Sequence, residues 1–252
     1  QVPVRPDGSG LSMVVPTGFV PFAAPDLHGN GTKATRLVDR LREAILSGQL
    51  RPGSKINLDS LRRELDVSLS PLREALARLI AVGLVELHHN RGYTVSPVSL
   101  DNLAEITRLR MEFEGLALAS AVEHGDAQWE RDVVRSLHRL NCIERDPSQP
   151  QTLEAWEHAH RDFHMTLLSG CKMPLLLNFC AVLHNLNDRY RRVFLLRSGG
   201  DRNVAAEHGE IANGAVARDA AFACARLREH IRRTGTNLHN RLAPQLAASN
   251  HR

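Results

Sequence analysis

Nowhere does the chain approach the roughly 18 uninterrupted apolar residues that a membrane span needs. Its N-terminal stretch also lacks a basic head followed by an apolar block, so the expectation is a cytoplasmic protein with no membrane partner. The four cysteines, Cys142, Cys171, Cys180 and Cys224, include no C-x-x-C pair. This argues against thiolate-held zinc and favours buried thiols in a reducing compartment over disulfides. Beyond residue 99 no alternating strand pattern appears, proline is scarce inside the periodic stretches, and no self-similarity of about 20 to 50 residues marks a solenoid.

What is present suits two ordinary domains: 252 residues, 42% of them hydrophobic. Charge is shared unevenly between them. Residues 31–100 hold 11 Lys/Arg against 7 Asp/Glu, whereas residues 101–252 hold 20 against 19. A basic segment beside a neutral one suggests that the first half meets a polyanion. Residues 1–30 mix Pro, Gly and Ser without sustained periodicity and read as a flexible arm, followed by one domain over 31–97 and a second over 98–252.

In the first domain Leu37, Val38, Leu41, Ile45 and Leu46 recur at helical steps, and Gly48 with Arg51-Pro52-Gly53 ends that helix. A short second helix runs from Asp59 to Leu65 and breaks at Asp66. Then comes Val67-Ser68-Leu69-Ser70-Pro71-Leu72-Arg73, in which Ser70 suits a helix cap and Pro71 the first helical position. Leu72, Leu76, Leu79 and Ile80 form the apolar stripe of this third helix, leaving Ser68, Ser70 and Arg73 off it near the helix start. Residues 84–87 and 93–95 read as strands joined by a turn at Asn90-Arg91-Gly92. Three helices and a hairpin make a winged helix-turn-helix.

Such a third helix can enter the major groove with Ser68, Ser70 and Arg73 toward phosphates or base edges, while Asn90 and Arg91 at the wing tip touch backbone or minor groove. The same pattern also fits an ordinary helical hairpin in which Arg73 pairs with a nearby carboxylate. From Ser99 onward about six helical segments follow, near 100–124, 127–145, 152–170, 173–197, 203–217 and 219–247, predicting an all-helical antiparallel bundle and a mainly α protein overall.

Of the 13 histidines, His88 and His89 lie by the wing, and His124, His138, His158, His184 and His239 read as solvated or core residues. His160 and His164 share one helix face at i, i+4, the spacing at which two imidazoles hold one metal, although chance also produces it. His208 and His230 sit on two later helices.

The runs Ile45 to Gly53, Val67 to Leu76, Gly83-Leu84-Val85 and Asn90-Arg91-Gly92 resemble, in order and spacing, the DNA-binding domain of the GntR family of bacterial regulators. The likeness covers residues 35–97. Many relatives carry arginine at the position of Leu69, so an arginine–guanine contact is absent there and the operator should differ. The second domain, over roughly 99–240, resembles the FCD type, whose helical bundle often binds a metal. Its signature of Phe-His, Glu-His-x-x-Ile and a histidine 22 residues later is matched by Phe163-His164, Glu207-His208-x-x-Ile211 and His230. The family's usual aspartate, four residues before the first of these histidines, is His160 here. Of the nearby acids Glu157 and Asp162, only Glu157 falls near the same face.

The resemblance implies a homodimer on double-stranded DNA with a pseudo-palindromic operator, a regulator and not an enzyme. It also implies a divalent metal on His164, His208 and His230, with His160 expected as the fourth ligand in place of the aspartate, and a small effector, expected to be an organic acid. Imidazole-rich sites suit Zn, Ni or Cu, and Zn is expected before Ni. Arg110, which matches a family arginine, is read as an anchor for the effector's carboxylate or as a solvated partner of Glu114. The rival readings are a metallohydrolase with Glu207 or Glu210 as base, and a regulator with an apolar, metal-free pocket.

Overall fold

The computed structural model describes residues 33–144, 149–194 and 203–249; the arm expected over 1–30 lies outside them. Helix α1 (Lys33–Leu46) buries Leu37, Leu41, Ile45 and Leu46 along one face. After a two-residue strand, β1 (Lys55–Ile56), helix α2 (Leu58–Leu65) is capped by Asn57, whose side chain accepts from the Ser60 N–H. Asp66 ends it in the left-handed conformation at φ 50, donating its own N–H back to the Arg62 and Arg63 carbonyls.

Helix α3 (Leu69–Ala81) starts two residues earlier than the sequence suggests: Ser68, not Ser70, occupies the cap position, and its side chain makes no capping bond. Pro71 is then the third helical residue. Its missing N–H costs nothing there either, because all of the first-turn N–H groups lack an intrahelical acceptor, so a proline does not pin the start to a single position. Strands β2 (Val85–His88) and β3 (Gly92–Val95) form the wing, paired antiparallel from Val85 with Val95 to His88 with Gly92. The turn places Asn90 at φ 61 and Gly92 at φ 81, the positive values for which this Asn-x-Gly turn is suited. Strand β1 adds to the outer edge of β3, giving the order β1-β3-β2.

The second half holds helices and no strand among its described residues: α4 (Leu100–His124), α5 (Ala127–Asn141), α6 (Pro150–Leu168), α7 (Pro174–Phe194), α8 (Val204–Val216) and α9 (Ala220–Ser249). Ser99 and Asp126 cap α4 and α5 through their side chains. Helices α4 and α9 run antiparallel in close contact. Gly235 is needed there, since an added Cβ would sit 2.6 Å from the Thr107 side chain, while farther along Cys224 Sγ donates to the Gly115 carbonyl at 3.3 Å. Leu118, Val133, Phe163, Leu167, Ile211, Leu227 and Ile231 fill the bundle core, and Leu41, Ile45, Leu72, Leu76, Leu79 and Leu84 fill a separate core in the first half. Among the described residues no helix is long and apolar enough to cross a membrane.

The link between the halves is tied to α7. Arg189 donates from Nη1 to the Ser96 carbonyl at 2.9 Å, and the Tyr190 hydroxyl donates to Asn102 Oδ1 at 2.8 Å.

Candidate metal centre and DNA-facing surface

Helix α6 brings His160 and His164 inward one turn apart, and α8 and α9 bring His208 and His230 to the same point. One ring nitrogen from each of the four lies within 4.8 Å of the other three. Ring centroids are 4.6 Å apart for His160 and His164 and 4.7 Å for His208 and His230. All four are buried. His160 Nδ1 and both ring nitrogens of His164 have no hydrogen-bond partner among the described residues. Burying such atoms unsatisfied costs about 1–3 kcal/mol each, and ligation by an ion is a direct way to remove that cost. Burial first, then neighbouring arginine and histidine charge, holds His160 and His164 well below the usual imidazole range, so both are neutral with a lone pair to offer. His230 Nδ1 shares a 2.9 Å hydrogen bond with Glu207 Oε2, and Glu207 Oε1 accepts from Arg233 Nη1 at 2.7 Å. A carboxylate behind an imidazole in this way orients it as a ligand. The donor set therefore fits a borderline-soft divalent ion.

None of the acids weighed from sequence joins the four rings as a ligand candidate among the described residues. Asp162 pairs with Arg139 on α5, and the buried Glu157 pairs with Arg191. Glu207 backs a ligand, and Glu210 faces Arg226 at 3.5 Å on the exposed side. Arg110 meets Glu114 as one sequence alternative has it, but the pair is buried, not solvated: Nε and Nη2 donate to the two carboxylate oxygens at 2.6 and 3.2 Å.

His184 on α7 is buried as a core residue, yet it belongs to this neighbourhood. Its ring lies 5.3 Å from that of His164, its Nδ1 faces Arg110 Nη2 at 3.3 Å, and its Nε2 faces Asp188 Oδ1 at 3.6 Å. Burial alone raises the Asp188 carboxyl, but His184, Arg191 and Arg161 outweigh it and hold it below the usual carboxylate range. Sequence reasoning missed the roles of His184, Asp188 and Arg191. The available signal was composition: His184-Asn185-Leu186-Asn187-Asp188-Arg189-Tyr190-Arg191-Arg192 is polar around the whole helix, which a central helix tolerates only by building a buried polar network.

On the other half, α3 turns Leu72, Ala75, Leu76 and Leu79 into the core and leaves Ser68, Ser70 and Arg73 exposed, with Leu69 partly buried. Arg73 makes no ion pair among the described residues, and its neighbour Glu74 pairs with Arg78 at 2.7 Å. The bland hairpin reading, in which Arg73 serves a neighbouring carboxylate, is not what forms. Asn90 and Arg91 are exposed at the wing tip, with Gly92 partly so.

Residues 33–95 match the bacterial regulatory proteins of the gntR family, and residues 105–233 match the FCD domain. The chain is 39% identical over 194 residues to the uncharacterized HTH-type transcriptional regulator BphR of Paraburkholderia xenovorans (strain LB400), covering 76% of this chain and 79% of that protein. It is 29% identical over 195 residues to the HTH-type transcriptional repressor GlaR of Escherichia coli (strain K12), covering 76% and 89%. In fold it is similar to E. coli McbR/YncC, with a TM-score of 0.70 at 22% identity over 83% of this chain and 98% of that one. A putative transcriptional regulator GntR from Rhodococcus sp. RHA1 gives 0.65 at 23% identity, covering 82% and 98%.

Proposed function

The chain belongs to the gntR family of bacterial regulatory proteins, with an FCD domain behind its DNA-binding half, and we propose that it is a dimeric repressor released from its operator by an anionic, metal-held effector. The family is one of DNA-binding transcription regulators, not enzymes. The observation that carries the effector reading is the convergence of four buried imidazoles, three of whose nitrogens lack a hydrogen-bond partner. His160, His164, His208 and His230 would hold the ion, which supplies a Lewis-acid position for a carboxylate oxygen. Among the described residues its charge finds no free acid nearby, since Glu114 is matched by Arg110, Asp188 by Arg161 and Arg191, and Glu207 by Arg233. An anion is the effector that completes the balance, and an organic acid is its simplest form.

The repressor sense follows GlaR, a relative named as a repressor. Dimerisation is supported by an apolar face on α4 and α7: Leu116, Leu175 and Phe179 are 53%, 59% and 44% exposed, and Phe113 packs on Phe179 with centroids 6.1 Å apart. Covering such a face with a second copy removes it from water and sets two DNA-reading helices about a two-fold axis. Effector release of DNA requires that the effector prefer the non-binding arrangement, and DNA must then weaken effector binding by the same factor.

Sequencing the genomic fragments that the purified protein retains tests the DNA half. A short palindrome near a few promoters is expected; no enrichment even at low salt would overturn the reading. On that palindrome, Arg73→Ala should weaken binding by about 1–3 kcal/mol, roughly 5- to 150-fold. Unchanged affinity would remove Arg73 from the interface.

The metal half has a built-in reporter. Trp156 stacks on His160 with centroids 4.9 Å apart and an interplanar angle of 21°. Adding Cu²⁺, a short-range quencher of indole emission, to metal-stripped protein should quench the Trp156 contribution and saturate near stoichiometry. Trp156→Phe should lose that response, and wild-type emission insensitive to the ion would argue against binding beside His160.

A further inference from the structure

One carboxylate on the DNA-binding half is gripped from two helices of the bundle. Glu43 lies on α1 and accepts from Arg192 Nη1 on α7 at 2.6 Å, while His158 Nε2 on α6 stands 3.6 Å from its other oxygen. Glu43 lines a cleft of about 520 Å³ between the halves, together with Asp39, Arg42, Glu154 and Arg161. On the far side of α1, Leu41 and Ile45 are locked into the core that also holds α3, so displacing Glu43 displaces the reading helix.

Each grip leads back to the histidine cluster along one rigid element. His158 precedes His160 by two residues on α6. On α7, Arg192 neighbours Arg191, and both meet the buried Glu157. Arg191 Nη2 donates to Asp188 at 2.9 Å, and Asp188 faces His184, whose ring approaches His164. Packed cores and paired charges take up discrete arrangements more readily than continuous ones, so a small change at the cluster can be passed along these helices.

We propose that Glu43 is the positioning residue through which metal occupancy of the bundle sets the affinity of the DNA-binding half for its operator. The inference rests on the reading that His160, His164, His208 and His230 hold a metal. Loss of the Glu43 charge leaves both cores intact but removes the charged contacts that tie α1 to α6 and α7.

The test uses the full-length chain, the palindromic DNA recovered by genomic selection, and Zn²⁺ alone as the probe. Operator affinity is measured by fluorescence anisotropy with Zn²⁺ and after chelation, alongside bound metal and melting temperature. Wild type should change affinity by about fivefold or more on loading. Glu43→Gln should bind the same amount of Zn²⁺ and still bind operator, with the response reduced to under about twofold. Glu43→Asp, which keeps the charge, should regain much of the response, and Asp39→Asn in the same cleft should behave as wild type. A Glu43→Gln chain with the full wild-type response overturns the proposal. So does a wild type that loads Zn²⁺ without any change in affinity, which leaves the metal site itself standing. A wild type that takes up no Zn²⁺ fails at the earlier step and removes the metal reading together with the coupling.

Discussion

Protein purified without a nickel column is expected to carry about one divalent ion per chain, and His164→Ala to carry close to none. His164 is the ligand candidate most completely without alternatives, buried with neither ring nitrogen hydrogen-bonded. Binding to the folded state alone stabilises it by about 4 kcal/mol when free metal exceeds Kd a thousandfold. For a chain of this size that is about 8–16 °C in Tm, lost on chelation in wild type and absent in the variant. A wild type that purifies empty and does not load on reconstitution would sink the metal site. His160→Asp introduces the aspartate expected from the family resemblance; it should retain metal, with the preference moving toward Mn²⁺ because a carboxylate is a harder ligand than imidazole.

Arg110→Ala should destabilise the bundle by about 3–5 kcal/mol, a fall of roughly 6–20 °C in Tm. Glu114 is 1% exposed and receives both of its Arg110 hydrogen bonds from a single guanidinium. Truncating Arg110 leaves a buried carboxylate with its main partner gone, which is far more costly than losing an exposed ion pair. Replacing both members, Arg110→Met with Glu114→Leu, should recover most of the loss, since a well-packed apolar pair can substitute for a buried ionic one. That double variant also separates structure from recognition: an Arg110 that anchors the effector takes the ligand response with it even though the fold returns. An Arg110→Ala chain that melts like wild type would show that the pair contributes little.

Much of the fold is legible in local chemistry. The stripe Leu37, Leu41, Ile45 places α1, Asp66 marks the end of α2, and Asn90-Arg91-Gly92 marks the wing turn because positive φ at Asn90 and Gly92 suits those residues. Strand β1 escapes notice because two residues show no alternation, and it exists only because β3 offers it an edge at Lys55 with Thr94. The start of α3 is ambiguous because serine and proline are each tolerated at more than one first-turn position. His164, His208 and His230 are legible through motif resemblance. His184 is legible only as part of the polar run 184–192, which calls for a buried network without saying which ring or charge each member meets.

The sequence by itself determined which residues form helices, which faces are apolar, and which histidine motifs travel together, because hydrophobic periodicity and turn chemistry act over a few residues along the chain. Tertiary structure alone decided that four rings from α6, α8 and α9 come within 4.8 Å, that Arg110 is buried on Glu114, and that Glu43 meets Arg192 149 residues away. A period of 3.6 says that a face must be covered but not by what. Only the packing of whole helices chooses the partner, and with it the desolvation that makes these charges and imidazoles chemically distinct.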